Sequence, residues 1–99
     1  VDTINIFEHV MDNMKNHREQ IDSIDRKIIN LLAQRMGHVK AIGNTKNDRG
    51  IDPLDKIRWQ EVLKDRIILG ERLGLSQTLI TQIWNSIHKY SLEIEENDE

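Results

Sequence analysis

From Ile4 to Lys46 the chain contains no proline, and from Ile21 onward its apolar residues fall at helical steps. Ile21, Ile24, Ile28, Leu31, Leu32, Val39 and Ile42 are spaced by threes, fours and sevens, which makes one continuous apolar stripe. This predicts a first helix over about residues 4–46. Roughly 40 residues at ~1.5 Å each give a rod of ~60 Å. A compact domain of 99 residues has a radius of gyration of only ~13 Å. Either the helix breaks, for instance near Gly37, or it stays straight and two chains pack their long helices together. The unbroken stripe favours the second, so a homodimer is expected.

The rest of the chain is helical too. Asn47-Asp48-Arg49-Gly50 and then Asp52-Pro53 form a breaker cluster. A second helix is expected from about Leu54 to Leu73, anchored by Trp59, Val62, Leu63, Ile67 and Leu69. Gly74 reads as a helix stop and Ser76 as the N-cap of a third helix. That helix carries Leu79, Ile80, Ile83, Trp84, Ile87 and Ile94 and is expected to fray into an acidic tail over Glu95–Glu99. The fold class is therefore all-α: a single domain over residues 1–99, with its core at about 16–96 and a tail at 96–99.

Several function classes are excluded early. There is no cysteine, hence no disulfide framework, thiolate nucleophile or zinc knuckle. A formal charge of −3 argues against a nucleic-acid surface. No apolar run approaches the ~20 residues of a membrane span, and no signal-peptide pattern opens the chain. A cytoplasmic protein is expected. Opening on Val1 rather than methionine, it is expected to have lost some upstream residues. His9, His17, His38 and His88 lack metal-ligand spacing and read as structural or solvated; no metal is expected. Met11, Met14 and Met36 read as packing residues. Neither a phosphate-binding glycine loop nor a Ser-His-Asp arrangement is legible.

The informative residues are polar ones on the apolar stripes. Arg35 lies seven residues from both Ile28 and Ile42. Lys46 lies eleven residues beyond Arg35, on the same face to within about 20° and ~16 Å along the axis. Arg58 shares a face with Val62, Leu69 and Leu73. On the third helix Ser91 follows Trp84 by seven residues and Glu95 follows Ser91 by four. Buried unpaired charge is costly. One reading is that the cations snorkel outward or pair with Asp25, Asp55 and Glu95. The other starts from the imbalance of three cations against one carboxyl, and expects a small dicarboxylate ligand. Arg18 lies 17 residues before Arg35, ~25 Å away and turned by about 100°. It cannot reach the same pocket from the same straight helix, so any contribution must go to the partner chain.

These segments resemble a known family. Arg18-Glu19-Gln20-Ile21-Asp22-Ser23-Ile24-Asp25, Leu31-Leu32-Ala33-Gln34-Arg35, Ile42-Gly43-Asn44-Thr45-Lys46 and Arg58 with Val62-Leu63 are similar to the all-helical (AroQ-class) chorismate mutases. The likeness covers roughly residues 16–96. It implies a three-helix protomer with one long N-terminal helix, an intertwined homodimer and two identical sites without a cofactor. It further implies that Arg18 of the other chain and Arg35 hold the substrate's carboxylates or enolpyruvyl side chain. Lys46 would bond the ether oxygen and a carboxylate. Asp55, Arg58 and Ser91 would line the pocket, and Glu95 would face the ether oxygen. The implied reaction is the Claisen rearrangement of chorismate, or of a close analogue such as 4-amino-4-deoxychorismate, to prephenate, within aromatic amino acid biosynthesis.

Two positions depart from the family pattern. Trp59 stands where many of these mutases carry a glutamate that meets the ring hydroxyl. Glu95 stands where many carry glutamine, and a glutamate can donate to the ether oxygen only when protonated. Arg35-Met36, Val39-Lys40-Ala41 and Lys46 also resemble isochorismate-pyruvate lyases, which release pyruvate and leave salicylate. Outside enzymology, the remaining alternative is a non-catalytic helical dimerisation or regulatory module.

Overall fold

A computed structural model describes residues 3–96 of the chain as three α-helices. These are α1 (Thr3–Arg49), α2 (Lys56–Arg72) and α3 (Gln77–Glu96). There is no strand among the described residues, and none of their helices is long and apolar enough to cross a membrane.

α1 passes through Gly37 without a break and ends three residues later than the periodicity predicts. Its terminus is set by backbone chemistry at Gly50, not by the polar run before it. Gly50 takes φ 63°, a conformation open to glycine because it has no Cβ. The Gly50 N–H then donates to the Asn47 carbonyl at 3.2 Å and the Ile51 N–H to the Lys46 carbonyl at 2.8 Å. This is the Schellman arrangement, which satisfies two carbonyls that the helix end leaves open. α2 ends in the same way at Gly74 (φ 82°), with Gly74 N–H donating to Glu71 and Leu75 N–H to Gly70.

α2 begins two residues later than expected, at Lys56. Asp52 takes the Leu54 N–H at 2.8 Å and so holds Leu54 in a turn. Asp55, in an extended conformation, takes the Arg58 N–H at 2.9 Å and is the N-cap. Ser76 caps α3 as expected, accepting from the Leu79 N–H at 3.1 Å. α3 does not fray at Glu95: it continues through Glu96, and Glu95 is part-buried. The remaining tail residues, Asn97, Asp98 and Glu99, lie outside the described residues.

The chain divides into two compact units, Val1–Arg35 and Met36–Glu99, and α1 contributes to both. The first unit is, among the described residues, a length of α1 alone. Its apolar stripe is uncovered: Phe7, Ile21, Ile24, Ile28 and Leu31 are all exposed, and Ile29 is 67% exposed. The second unit holds the end of α1, α2 and α3. Its buried apolar core is small, consisting of Val62 and Ile80, with Gly70 buried beside Ile80. Trp59, Leu63, Ile67, Trp84, Ile87 and Ile94 are part-buried around it. Leu69, Leu79 and Ile83, expected as core anchors, are exposed, because nothing in the described chain covers them.

Candidate active site

The site is built around Lys46, in the last turn of α1. Its backbone carbonyl is fixed by the Schellman bond from Ile51. Its ammonium donates to the Pro53 carbonyl at 2.6 Å and lies 2.9 Å from Oε1 of Glu95. The side chains of the pair are 19% and 9% exposed respectively. An ammonium has three protons, and these two partners account for two of them.

Gly43 makes this pair possible. A Cβ at residue 43 would sit 3.0 Å from the Cα of Glu95 and 3.2 Å from its Cγ. The missing side chain lets the α3 backbone come against α1 one turn before Lys46, so a glutamate stem is long enough to reach the ammonium. A glycine inside a helix costs about 1 kcal/mol relative to alanine, and here it is the residue that allows the close approach.

Ser91 lies one turn before Glu95 on α3 and is buried. Its hydroxyl donates to the Ile87 carbonyl at 2.7 Å and lies 3.7 Å from the sulfur of Met36. Lys46 also borders an open groove of about 300 Å³, lined otherwise by His38, Ala41, Ile42 and Thr45.

The other predicted residues have distinct settings. Asp55 is exposed, and its carboxylate is engaged as the α2 cap. Arg58 is exposed in the first turn of α2. Arg35 is part-buried on α1, and Arg18 is exposed. The structure thus brings Lys46 and Glu95 into contact, with Ser91 one turn away.

Two features were not singled out from sequence. Trp59 stacks on His88, with ring centroids 3.9 Å apart and planes within 10°. A histidine without metal spacing gave no signal, and its partner lies 29 residues away on another helix. Trp84, one turn before His88, has a buried indole Nε1 without a hydrogen-bond partner among the described residues.

Comparison with known proteins bears on this arrangement. The family model for chorismate mutase type II matches residues 17–96. The T-protein of Haemophilus influenzae is 33% identical over 73 residues, covering 74% of this chain and 19% of that protein. The bifunctional chorismate mutase/prephenate dehydratase of Buchnera aphidicola is 33% identical over 75 residues, covering 76% of this chain and 20% of that protein. The T-protein of Enterobacter agglomerans is 32% identical over 81 residues, 82% of this chain and 21% of that protein. The chain therefore spans about a fifth of the length of the curated relatives it matches. No solved structure matches it significantly. With four-fifths of its length under that family model, and Lys46, Ser91 and Glu95 all inside the matched span, the chain belongs to the chorismate mutase type II family.

Proposed function

We propose that the chain catalyses the Claisen rearrangement of chorismate to prephenate. The observation that carries this reading is the part-buried Lys46–Glu95 pair at 2.9 Å, with a buried hydroxyl one turn away, in a chain of this family. A chorismate dianion is flexible, and rearrangement requires it to be held as a compact conformer. Arg35, Arg58 and, from the partner chain, Arg18 supply charge clamps for its carboxylates. As the ether C–O bond breaks and the new C–C bond forms, negative charge grows on the ether oxygen. Lys46, through its remaining N–H, and a neutral Glu95, through its O–H, hydrogen-bond to that oxygen without giving up their protons. Such donors help because they bind the transition state more tightly than the ground state. Ser91 and Asp55 complete the lining. The reaction needs no cofactor and forms no covalent intermediate.

The active species in this reading is a homodimer in the cytoplasm. Its support is the uncovered apolar stripe of the first unit, with Leu69, Leu79 and Ile83 also exposed in the second. A lone helix is marginal in water, and a second copy of the same stripe is a self-complementary cover. Sedimentation at micromolar protein is expected to give about twice the chain mass; a stable, active monomer rules out both the dimer and the role of Arg18 in the partner's site.

The catalytic reading is tested by separate incubation with chorismate, isochorismate and 4-amino-4-deoxychorismate. Formation of prephenate from chorismate is expected. Release of pyruvate from isochorismate alone would move the chain to the lyase reading, and no turnover of any of the three would leave the non-catalytic dimer.

A further inference from the structure

Phe7, Met14, Ile21, Ile28 and Ile42 stand at multiples of seven along α1, and Val10, Ile24 and Leu31 each follow that row by three residues. This is the a/d seam of a coiled coil. The family model begins at residue 17, so the seam starts ~three turns ahead of the family's domain. In that lead segment Phe7 is 64% exposed, and Val10 and Met14 are exposed as well. Toward the other end of α1 the same seam carries the open groove lined by His38, Ala41, Ile42, Thr45 and Lys46. Glu8 and Asp12 outnumber Lys15 in the lead segment, whereas Arg35, Lys40, Lys46 and Arg49 outnumber Asp48 around the groove. The two regions are therefore complementary in charge between antiparallel copies.

Charge also selects the register. In an antiparallel pair the a residues of one helix pack beside the d residues of the other, so the possible registers lie one heptad apart. Setting Ile24 beside the partner's Ile28 puts Asp25 within ~3 Å along the axis of the partner's Asp25. Setting Leu31 beside the partner's Arg35 brings the two Arg35 positions within ~6 Å on one seam. Setting Ile28 beside the partner's Leu31 avoids both: Ile28 and Leu31 of each copy surround the two-fold axis, and the Arg35 positions part by ~16 Å. In that register the partner's Arg18 falls level with Ala41, between Arg35 and Lys46. The partner's Met14 falls level with Thr45, the partner's Val10 with Arg49, and the partner's Phe7 just past the end of α1, by the exposed Ile51. We propose that residues 6–16 are a dimer arm: they lie antiparallel on the last two turns of α1 in a second copy of this chain, where Phe7 and Val10 pack over Arg49 and Ile51 and close the outer end of the groove. The arm rests on the dimer reading above and adds to it an interface outside the family's domain.

The chain has no cysteine, so introduced pairs report the register directly. Val10→Cys with Arg49→Cys in the full chain is expected to give a covalent dimer on a non-reducing gel after mild oxidation with diamide, and neither single variant is. The two positions are separated by ~60 Å of helix, so the bond cannot close within one chain. Phe7→Glu with Val10→Glu is expected to raise the dimer dissociation constant at least roughly tenfold in a sedimentation dilution series, because it places charge on a buried seam. Acids suit the start of a helix, so the far-UV helical signal of the dimer should be kept. His9→Glu, on the face away from the seam, is expected to leave the constant within about twofold. A covalent dimer from Val10→Cys alone reports parallel arms and overturns the proposal. So does a double-cysteine chain that is dimeric in solution yet never cross-links, or a double-glutamate chain that dimerises as tightly as the parent. A parent chain that is monomeric at micromolar concentration overturns the dimer reading itself, and the arm with it.

Discussion

The two ends of α3 use the same device for opposite purposes. Near its start, Ile80 packs into the space left by Gly70 of α2; a Cβ there would sit 2.5 Å from Ile80 Cγ1 and 2.8 Å from its Cδ1. Near its end, the backbone at Glu95 fills the space left by Gly43 of α1. At the first contact the glycine receives an apolar side chain, and Ile80 is only 4% exposed. At the second it receives main chain, which frees a carboxylate to turn toward Lys46. The first contact contributes stability by excluding water from methyl groups. The second contributes little apolar burial and instead fixes the distance between two charges. A helix glycine therefore marks a close approach, and the neighbouring side chains decide whether that approach serves packing or chemistry.

The comparison predicts which measurement each end controls. The largest effect is expected for Lys46→Ala, which removes the donor around which the functional end is organised. kcat/KM should fall at least a thousandfold, about 4 kcal/mol of transition-state stabilisation, with the far-UV helical signal unchanged. A variant that keeps most activity would falsify the clamp, whereas one that unfolds would assign the pair to structure. Gly70→Ala should do the reverse. Forcing a methyl against Ile80 costs about 1–3 kcal/mol, read as a lower midpoint in urea, with kcat/KM well below the transition changed less than about twofold. Adding Ile80→Ala should cost less than the same change costs in the parent chain, since the two sites share one contact. Gly43→Ala falls between these. Alanine gains roughly 1 kcal/mol of helix propensity, which offsets part of the crowding against Glu95. The midpoint should therefore move little while kcat/KM drops about tenfold as the Glu95 carboxyl is displaced from Lys46.

Much of this was legible in the sequence, and the rest was not for physical reasons. The course of α1 followed from its stripe, because apolar spacing is a local property. The Ser76 cap was legible because a cap needs only the next three residues. Element ends were less so. Asp52 and Asp55 compete for the start of α2, and the hydrogen bonds from Leu54 and Arg58 decide it. The polar run Asn47-Asp48-Arg49 looked like a break, but the chain leaves the helix only at Gly50, where φ turns positive. Three acids were conceivable partners for the inward cations. That Lys46 takes Glu95 depends on the register of α3 against α1, which Gly43 permits and no local spacing reports. The Trp59–His88 stack was invisible for the same reason, being a contact between distant segments.

The smallest expected effect concerns Glu95→Gln, and it sharpens the account of the functional end. In the free protein Glu95 accepts from Lys46, a part that glutamine's carbonyl oxygen also plays. In the rearrangement Glu95 is asked to donate, which only its protonated form can do, whereas the glutamine amide donates at every pH. An ionised carboxylate would also repel both the dianionic substrate and the charge growing on its ether oxygen. The glutamine variant should therefore keep kcat within about threefold of the parent chain. If the glutamine variant is folded but inactive, Glu95 is not the donor to the ether oxygen. Its contact with Lys46 would then serve to hold the ammonium in place, which puts α3 in the same structural role at both of its ends.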